Sequence, residues 1–197
     1  MKRILGVDPG TWKTGAGLLD LTGNQFKLVH AEIITVTQQI PLAQRLLIIF
    51  RSLSEIIRKY RPEVLALENI FYHKDVRAMI KIGEARACAM LAASEHGIPV
   101  LEYLPTTVKQ AVTGNGRASK AQVQLMMQRL LGVDKNLEYD ATDALAVALC
   151  HANSQRAWKE TAAPEARKRS RVSMDKQWLE IAERNKKKRR VVLDTSR

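Results

Sequence analysis

Residues 139–153 run Tyr-Asp-Ala-Thr-Asp-Ala-Leu-Ala-Val-Ala-Leu-Cys-His-Ala-Asn, a helical stretch that is apolar on nearly every side. A helix without a polar face is largely buried, so the chain needs a packed domain to receive it. Asp140 and Asp143 stand three residues apart in the first turn and share one face. The macrodipole favours negative charge there. Carboxylates on a helix this apolar require a buried or cleft-facing role.

The preceding segments supply that domain. Arg3 to Asp8, Gly15 to Leu21 and Gln25 to Thr35 read as strands, the last two joined by the hairpin turn Thr22-Gly23-Asn24. Leu42, Leu46, Ile49, Leu53, Ile56 and Tyr60 recur at helical spacing until Arg61-Pro62. Val64 to Glu68 reads as a buried strand and Asp75 to His96 as a helix stopped by Gly97. Ile98 to Tyr103 is a further strand. Short helices follow at Thr106 to Val112 and, capped by Ser119, up to Leu131. Three strands followed by alternating helices and strands predict an α/β fold with a five-stranded mixed sheet flanked by helices.

Two more acids fall where such a sheet places ligands. Asp8 closes the first strand before Pro9-Gly10, and Glu68 closes the fourth. If those strands are adjacent and parallel, both carboxylates meet at the carboxyl edge. Taken singly, Asp8 is a common turn residue and Asp140 a plausible helix cap. Taken together, Asp8, Glu68, Asp140 and Asp143 repel one another unless a cation lies between them. Oxygen-only ligands suit Mg²⁺ or Mn²⁺, and two such ions hydrolyse phosphodiesters.

The charge points the same way. The chain of 197 residues carries a formal net charge of +12 and a pI near 10.0, which makes nucleic acid the first partner to consider and anionic membrane the second. Residues 154–197 hold 14 Lys/Arg and 6 Asp/Glu, whereas 1–153 hold 18 and 14. A compact domain over 1–153 and a flexible basic tail over 154–197 are therefore expected. Cys88 and Cys150 lie among small apolar residues and read as buried, reduced thiols. No signal-peptide core or membrane-length stretch is present, so a cytoplasmic, nucleoid-associated location is expected.

Six blocks carry a family resemblance: Ile-Leu-Gly-Val-Asp-Pro-Gly-Thr (4–11), Thr-Gly-Ala-Gly (14–17), Leu-Ala-Leu-Glu-Asn-Ile-Phe (65–71), Lys-Ile-Gly-Glu-Ala-Arg-Ala (81–87), residues 108–123 from Val108 to Val123, and Asp-Ala-Thr-Asp-Ala-Leu-Ala-Val-Ala (140–148). In order and spacing they resemble the RuvC crossover junction endodeoxyribonucleases of the RNase H-like superfamily. The resemblance implies an RNase H-like fold with two Mg²⁺ ions held by Asp8, Glu68, Asp140 and Asp143, Mn²⁺ substituting. It further implies paired nicking of four-way (Holliday) junctions by a homodimer in recombination and repair, with a branch-migration motor complex as partner. The tail has no counterpart in that pattern.

The same resemblance gives Phe71, near Tyr72 and Lys74, a place against DNA, stacking on an unpaired base. A core aromatic is the alternative. Lys109 and Lys120, beside the Gly114-Asn115-Gly116 turn, match positions associated with activity, and with Arg117 they suggest a phosphate clamp. A solvated surface is the alternative. The small residues between 83 and 97 pack either on the chain's own sheet or across a two-fold interface. Three rival functions compete: an actin-like ATPase, suggested by Gly6 to Thr11 but opposed by the short chain and the acidic pair on the last helix; a non-catalytic branched-DNA binder, which would lack a carboxylate where none is missing; and a nuclease for RNA–DNA hybrids.

Overall fold

In a computed structural model of the chain, residues 2–23, 25–37, 39–69, 76–133 and 137–161 are described, with side chains as far as 155. The chain divides into two units, Met1–Ser154 and Gln155–Arg197. Apart from the last turns of its final helix, every element below belongs to the first unit.

The strands β1 (Lys2–Asp8), β2 (Lys13–Thr22) and β3 (Gln25–Thr35) form an antiparallel meander. The helix α1 (Leu42–Tyr60) leads to β4 (Val64–Glu68), α2 (Val76–Glu95) and β5 (Val100–Tyr103). Three helices complete the unit: α3 (Pro105–Thr113), α4 (Lys120–Leu131) and α5 (Tyr139–Thr161). The sheet order is β3-β2-β1-β4-β5, with β4 parallel to both β1 and β5. This is the expected five-stranded mixed sheet, and β1 and β4 are the adjacent parallel pair that the acids required.

Alternation along the strands divides the core into two layers. Leu5, Val7, Ala16, Leu18, Leu65 and Leu67 face α1 and α2. Ile4, Leu19, Val64 and Ala66 face α3, α4 and α5. Asp8 continues the Ile4 and Gly6 side and Glu68 the Val64 and Ala66 side, so both point toward the α5 layer.

Three boundaries differ from the sequence reading by two residues or more. The strand β2 starts at Lys13, two residues early, because Lys13 and Thr14 pair with Thr35 and Ile34. The strand β5 starts at Val100 rather than Ile98 because Ile98 is used to close α2. Its N–H donates to Ala93 O at 3.0 Å and that of Gly97 to Ser94 O at 3.2 Å, with Gly97 left-handed at φ 69°. That is the Schellman closure, which consumes the two residues after the helix. Finally, α5 continues past Asn153 to Thr161.

The small residues of α2 serve the chain's own packing. Ala85, Cys88, Ala89, Ala92 and Ala93 are buried in the α1 layer, while Ala87 is exposed. Cys88 and Cys150 are both free and buried, as expected.

Candidate active site

The position of α5 is set by glycine. Gly6 and Gly17 face each other across β1 and β2, as do Asp8 and Gly15. A Cβ on Gly6 would collide with the carbonyl of Ala144, and one on Gly15 with the carbonyl of Asp140. On Gly17 it would fall 2.7 Å from the Leu145 side chain. The sheet thus has a side-chain-free floor on which the α5 backbone rests. The helix fills its other sides with Ala141, Ala144, Ala146, Val147, Ala148 and Leu149, all buried. Because Gly15 carries the Asp140 backbone, the first turn of α5 lies over the strand end that holds Asp8.

Glu68 is held from behind. Arg86, a buried arginine on α2, donates to Asn69 Oδ1 at 3.0 Å and pairs with Glu102 Oε1 at 2.6 Å. It therefore ties the residue after Glu68 to β5, where Leu67 and Glu68 pair with Glu102 and Tyr103. A second tie joins β5 to α5, a 2.6 Å hydrogen bond between Tyr103 Oη and His151 Nδ1. Burial pushes His151 down to about 4, with Lys2 adding to the effect, so the ring is neutral.

A cleft of about 90 Å³ opens at this edge, lined by Asp8, Glu68, Asp143, Lys109, Lys120 and the apolar Pro105, Val108, Val123 and Ala146. Burial first, and then the charges of Glu68, Asp143 and Asp140, push Asp8 up to about 7, with Lys120 opposing. Glu68 is raised by burial and by Asp143, against the pull of Lys120 and Lys109. Asp140 belongs to this electrostatic cluster although it does not line the cleft. Lys120 lies 3.1 Å from Asp143 Oδ2, and that carboxylate is the main reason its pKa is raised.

The four acids therefore do come together, from two strands and one helix, and both lysines join them. Among the described residues no three acids close into a formed metal cage, and the Lys120 ammonium stands on Asp143 instead. The donor set still fits a divalent cation. It offers oxygen alone, and the neighbouring acids strengthen the hold of Asp8 and Glu68 on protons, a repulsion that a cation relieves. Arg117 sits on the turn before α4, exposed and outside the cleft lining, with its N–H donated to Asn115 Oδ1 at 3.0 Å. Phe71, Tyr72 and Lys74 lie outside the described residues.

A family model described as crossover junction endodeoxyribonuclease RuvC matches residues 4–151. The chain belongs to the RuvC family. Among curated RuvC proteins, that of Pelotomaculum thermopropionicum is 46% identical over 151 residues, covering 76% of this chain and 92% of the relative. That of Halorhodospira halophila is 43% identical over 168 residues, covering 85% and 100%. Thermus thermophilus RuvC, solved in complex with a Holliday junction substrate, superposes with a TM-score of 0.76 at 34% identity over 79% of this chain and 96% of that one. The yeast mitochondrial resolvase Ydc2 shares the fold, with a TM-score of 0.60 at 14% identity. RuvC enzymes are metal-dependent nucleases, which agrees with the carboxylate set. The family model ends at residue 151, whereas the match to the Halorhodospira protein covers 85% of this chain and so extends into the basic tail.

Sequence reasoning passed over three features of this RuvC site: the glycine floor, the Arg86 bracket, and Trp12 in the loop straight after Asp8. Gly15 and Gly17 sit inside a strand, where glycine is unfavourable unless a backbone comes close, and that was the available signal. Among the described residues no helix is long and apolar enough to cross a membrane.

Proposed function

We propose that this chain resolves four-way DNA junctions by paired, metal-dependent phosphodiester hydrolysis in recombination and repair. The carrying observation is the meeting of four carboxylates from β1, β4 and α5 with two lysines at one sheet edge. Asp8, Glu68, Asp140 and Asp143 would hold two Mg²⁺ ions, or Mn²⁺ in their place. When bound, these supply acidification of the attacking water and stabilisation of the leaving 3′ oxygen. Lys109 and Lys120 neutralise the scissile phosphate. The Lys120 side chain is 70% exposed, free to exchange Asp143 for a phosphate oxygen. Arg117, Phe71, Tyr72 and Lys74 extend the DNA surface, with Phe71 stacking at the branch.

Paired nicks require two active sites, which a homodimer supplies by two-fold symmetry. The exposed Val76, Ile80 and Leu91 on α2 and Leu47 and Ile48 on α1 offer the apolar surface for it. The basic segment 154–197 adds sequence-independent attachment to phosphates, so removing it should flatten the salt dependence of junction affinity. Action on the chromosome places the protein in the cytoplasm with the nucleoid. A branch-migration motor as partner rests on the family resemblance alone.

The test is Mg²⁺-dependent cleavage of a synthetic mobile junction by the wild type and Asp8→Asn. Paired nicks that vanish in the variant while junction binding persists support the reading. Equal cleavage by both overturns the metal-site assignment. Flaps and RNA–DNA hybrids, offered in parallel, separate a junction enzyme from a hybrid nuclease.

A further inference from the structure

Trp12 is 44% exposed and Tyr139 51%. Rings this large contribute more than almost any other side chain when buried, and both of these stand exposed on segments next to the acids. Neither is on a slack segment. The carbonyl of Trp12 accepts from Val36 N at 2.8 Å, and the next residue, Lys13, is already paired with Thr35. Thr14 Oγ1 donates back to Gly10 O at 2.6 Å, and Gly10 sits where a Cβ would collide with the Lys13 carbonyl. The loop is thus a tight turn locked at both ends, and the Trp12 ring is presented from a stiff frame. Tyr139 opens α5, one residue before the Asp140 backbone that rests on Gly15. An ion pair between Lys13 and Glu138, 3.5 Å long, joins the two segments.

The lip has a definite chemistry. Lys13 faces Glu138, and Asp8 and Asp140 lie alongside, so a phosphate meets more acid than base among the lip's described residues. The lip does offer aromatic faces. Trp12 lies on the β2 side of Asp8, whereas Lys109 and Lys120 flank the acids from the α3 and α4 side. The cleft thus has its lysines on the α3 and α4 side, and the exposed Trp12 and Tyr139 belong to the segments that adjoin Asp8 and Asp140.

We propose that Trp12 is a stacking site for an unpaired nucleobase adjoining the scissile phosphate, with Tyr139 completing the same lip. The inference rests on the junction-nuclease reading above. In an intact duplex both faces of a base are covered by its neighbours, so the ring selects a base freed at a branch. Stacking is tolerant of base identity because every base has a π-face.

The full-length chain with Trp158→Phe and Trp178→Phe keeps Trp12 as its sole tryptophan. Its emission should be quenched by a four-way junction and not by a linear duplex of equal length. In single-turnover cleavage, Trp12→Ala should raise the protein concentration needed for half-maximal rate by about ten-fold or more, with a smaller change at saturation. Trp12→Phe should recover most of the loss. An abasic residue beside the cut should weaken the wild type by a similar factor and leave Trp12→Ala no weaker. Unquenched emission, or a Trp12→Ala protein with wild-type half-saturation, would overturn the proposal. If the wild type cuts no junction, it is the nuclease reading that fails. Stacking on branched DNA then stands or falls by the quenching.

Discussion

Replacing Asp8 with Asn should make the metal-free protein more stable, and by an amount that depends on pH. In the folded chain Asp8 is raised from 3.8 to about 7, first by burial and then by Glu68, Asp143 and Asp140. The folded state therefore holds a proton that the unfolded state has released between those two values. Below about pH 4 both states are protonated and the carboxyl costs nothing. As pH rises toward 7 the wild type loses stability, and above 7 the loss is complete because both states are ionised. A shift of about three units corresponds to about 4 kcal/mol at most. A working range of about 2–4 kcal/mol allows for relaxation of the neighbouring acids. Asparagine is neutral throughout, so the variant escapes this loss. For a unit of this size the gap amounts to roughly 4–15 °C in Tm at pH 8, shrinking toward pH 4. Urea or thermal unfolding of both proteins in chelator, from pH 4.5 to 8, measures it. Millimolar Mg²⁺ should then stabilise the wild type more than the variant, since a ligand of the folded state raises its stability. A stability gap that stays flat across this pH range would refute the picture of Asp8 as a desolvated acid among like charges.

Gly6→Ala drives a methyl into the carbonyl of Ala144. It should cost about 3 kcal/mol or more in urea unfolding and lower cleavage by lifting α5 from the sheet. Lys120→Ala removes the cation nearest Asp143. It should slow single-turnover cleavage by about 100-fold with little change in unfolding free energy. Tyr103→Phe strands the buried Nδ1 of His151. Denaturant titration should show a loss of about 1–3 kcal/mol, and cleavage should persist.

Much of this architecture was legible because its signals are local. The spacing of Asp140 and Asp143 on an apolar helix is a helical-face argument that needs no partner. Alternation along β1 and β4 is likewise local, and it sends Asp8 and Glu68 to the same layer once the strands are parallel neighbours. The glycine floor was harder to read, because each glycine looks like an ordinary strand interruption until the helix above it is known. Arg86 stands among alanines and small residues with no sequence mark of its destinations, Asn69 and Glu102, which lie 17 and 16 positions away along the chain. Trp12 was overlooked because its neighbours Asp8, Pro9 and Gly10 already explain a turn, and nothing in the order of residues says which way the ring faces. The small residues of α2 left two readings open, the chain's own packing or a two-fold interface. Ala85, Cys88, Ala89, Ala92 and Ala93 are buried in the layer with α1, a non-local pairing that the order of residues does not announce.

Resting α5 directly on glycine backbone has a mechanical consequence. Most helices sit on a cushion of side chains, whose rotamers can shift when a core mutation or a rise in temperature changes the fit. Beneath the first turns of α5 there is no cushion, and the separation between Asp8 and the two aspartates is referenced to main-chain contact. The chain thus carries a gauge block under its candidate active site, against which the rest of the core is free to drift while the gap between the acids keeps one width.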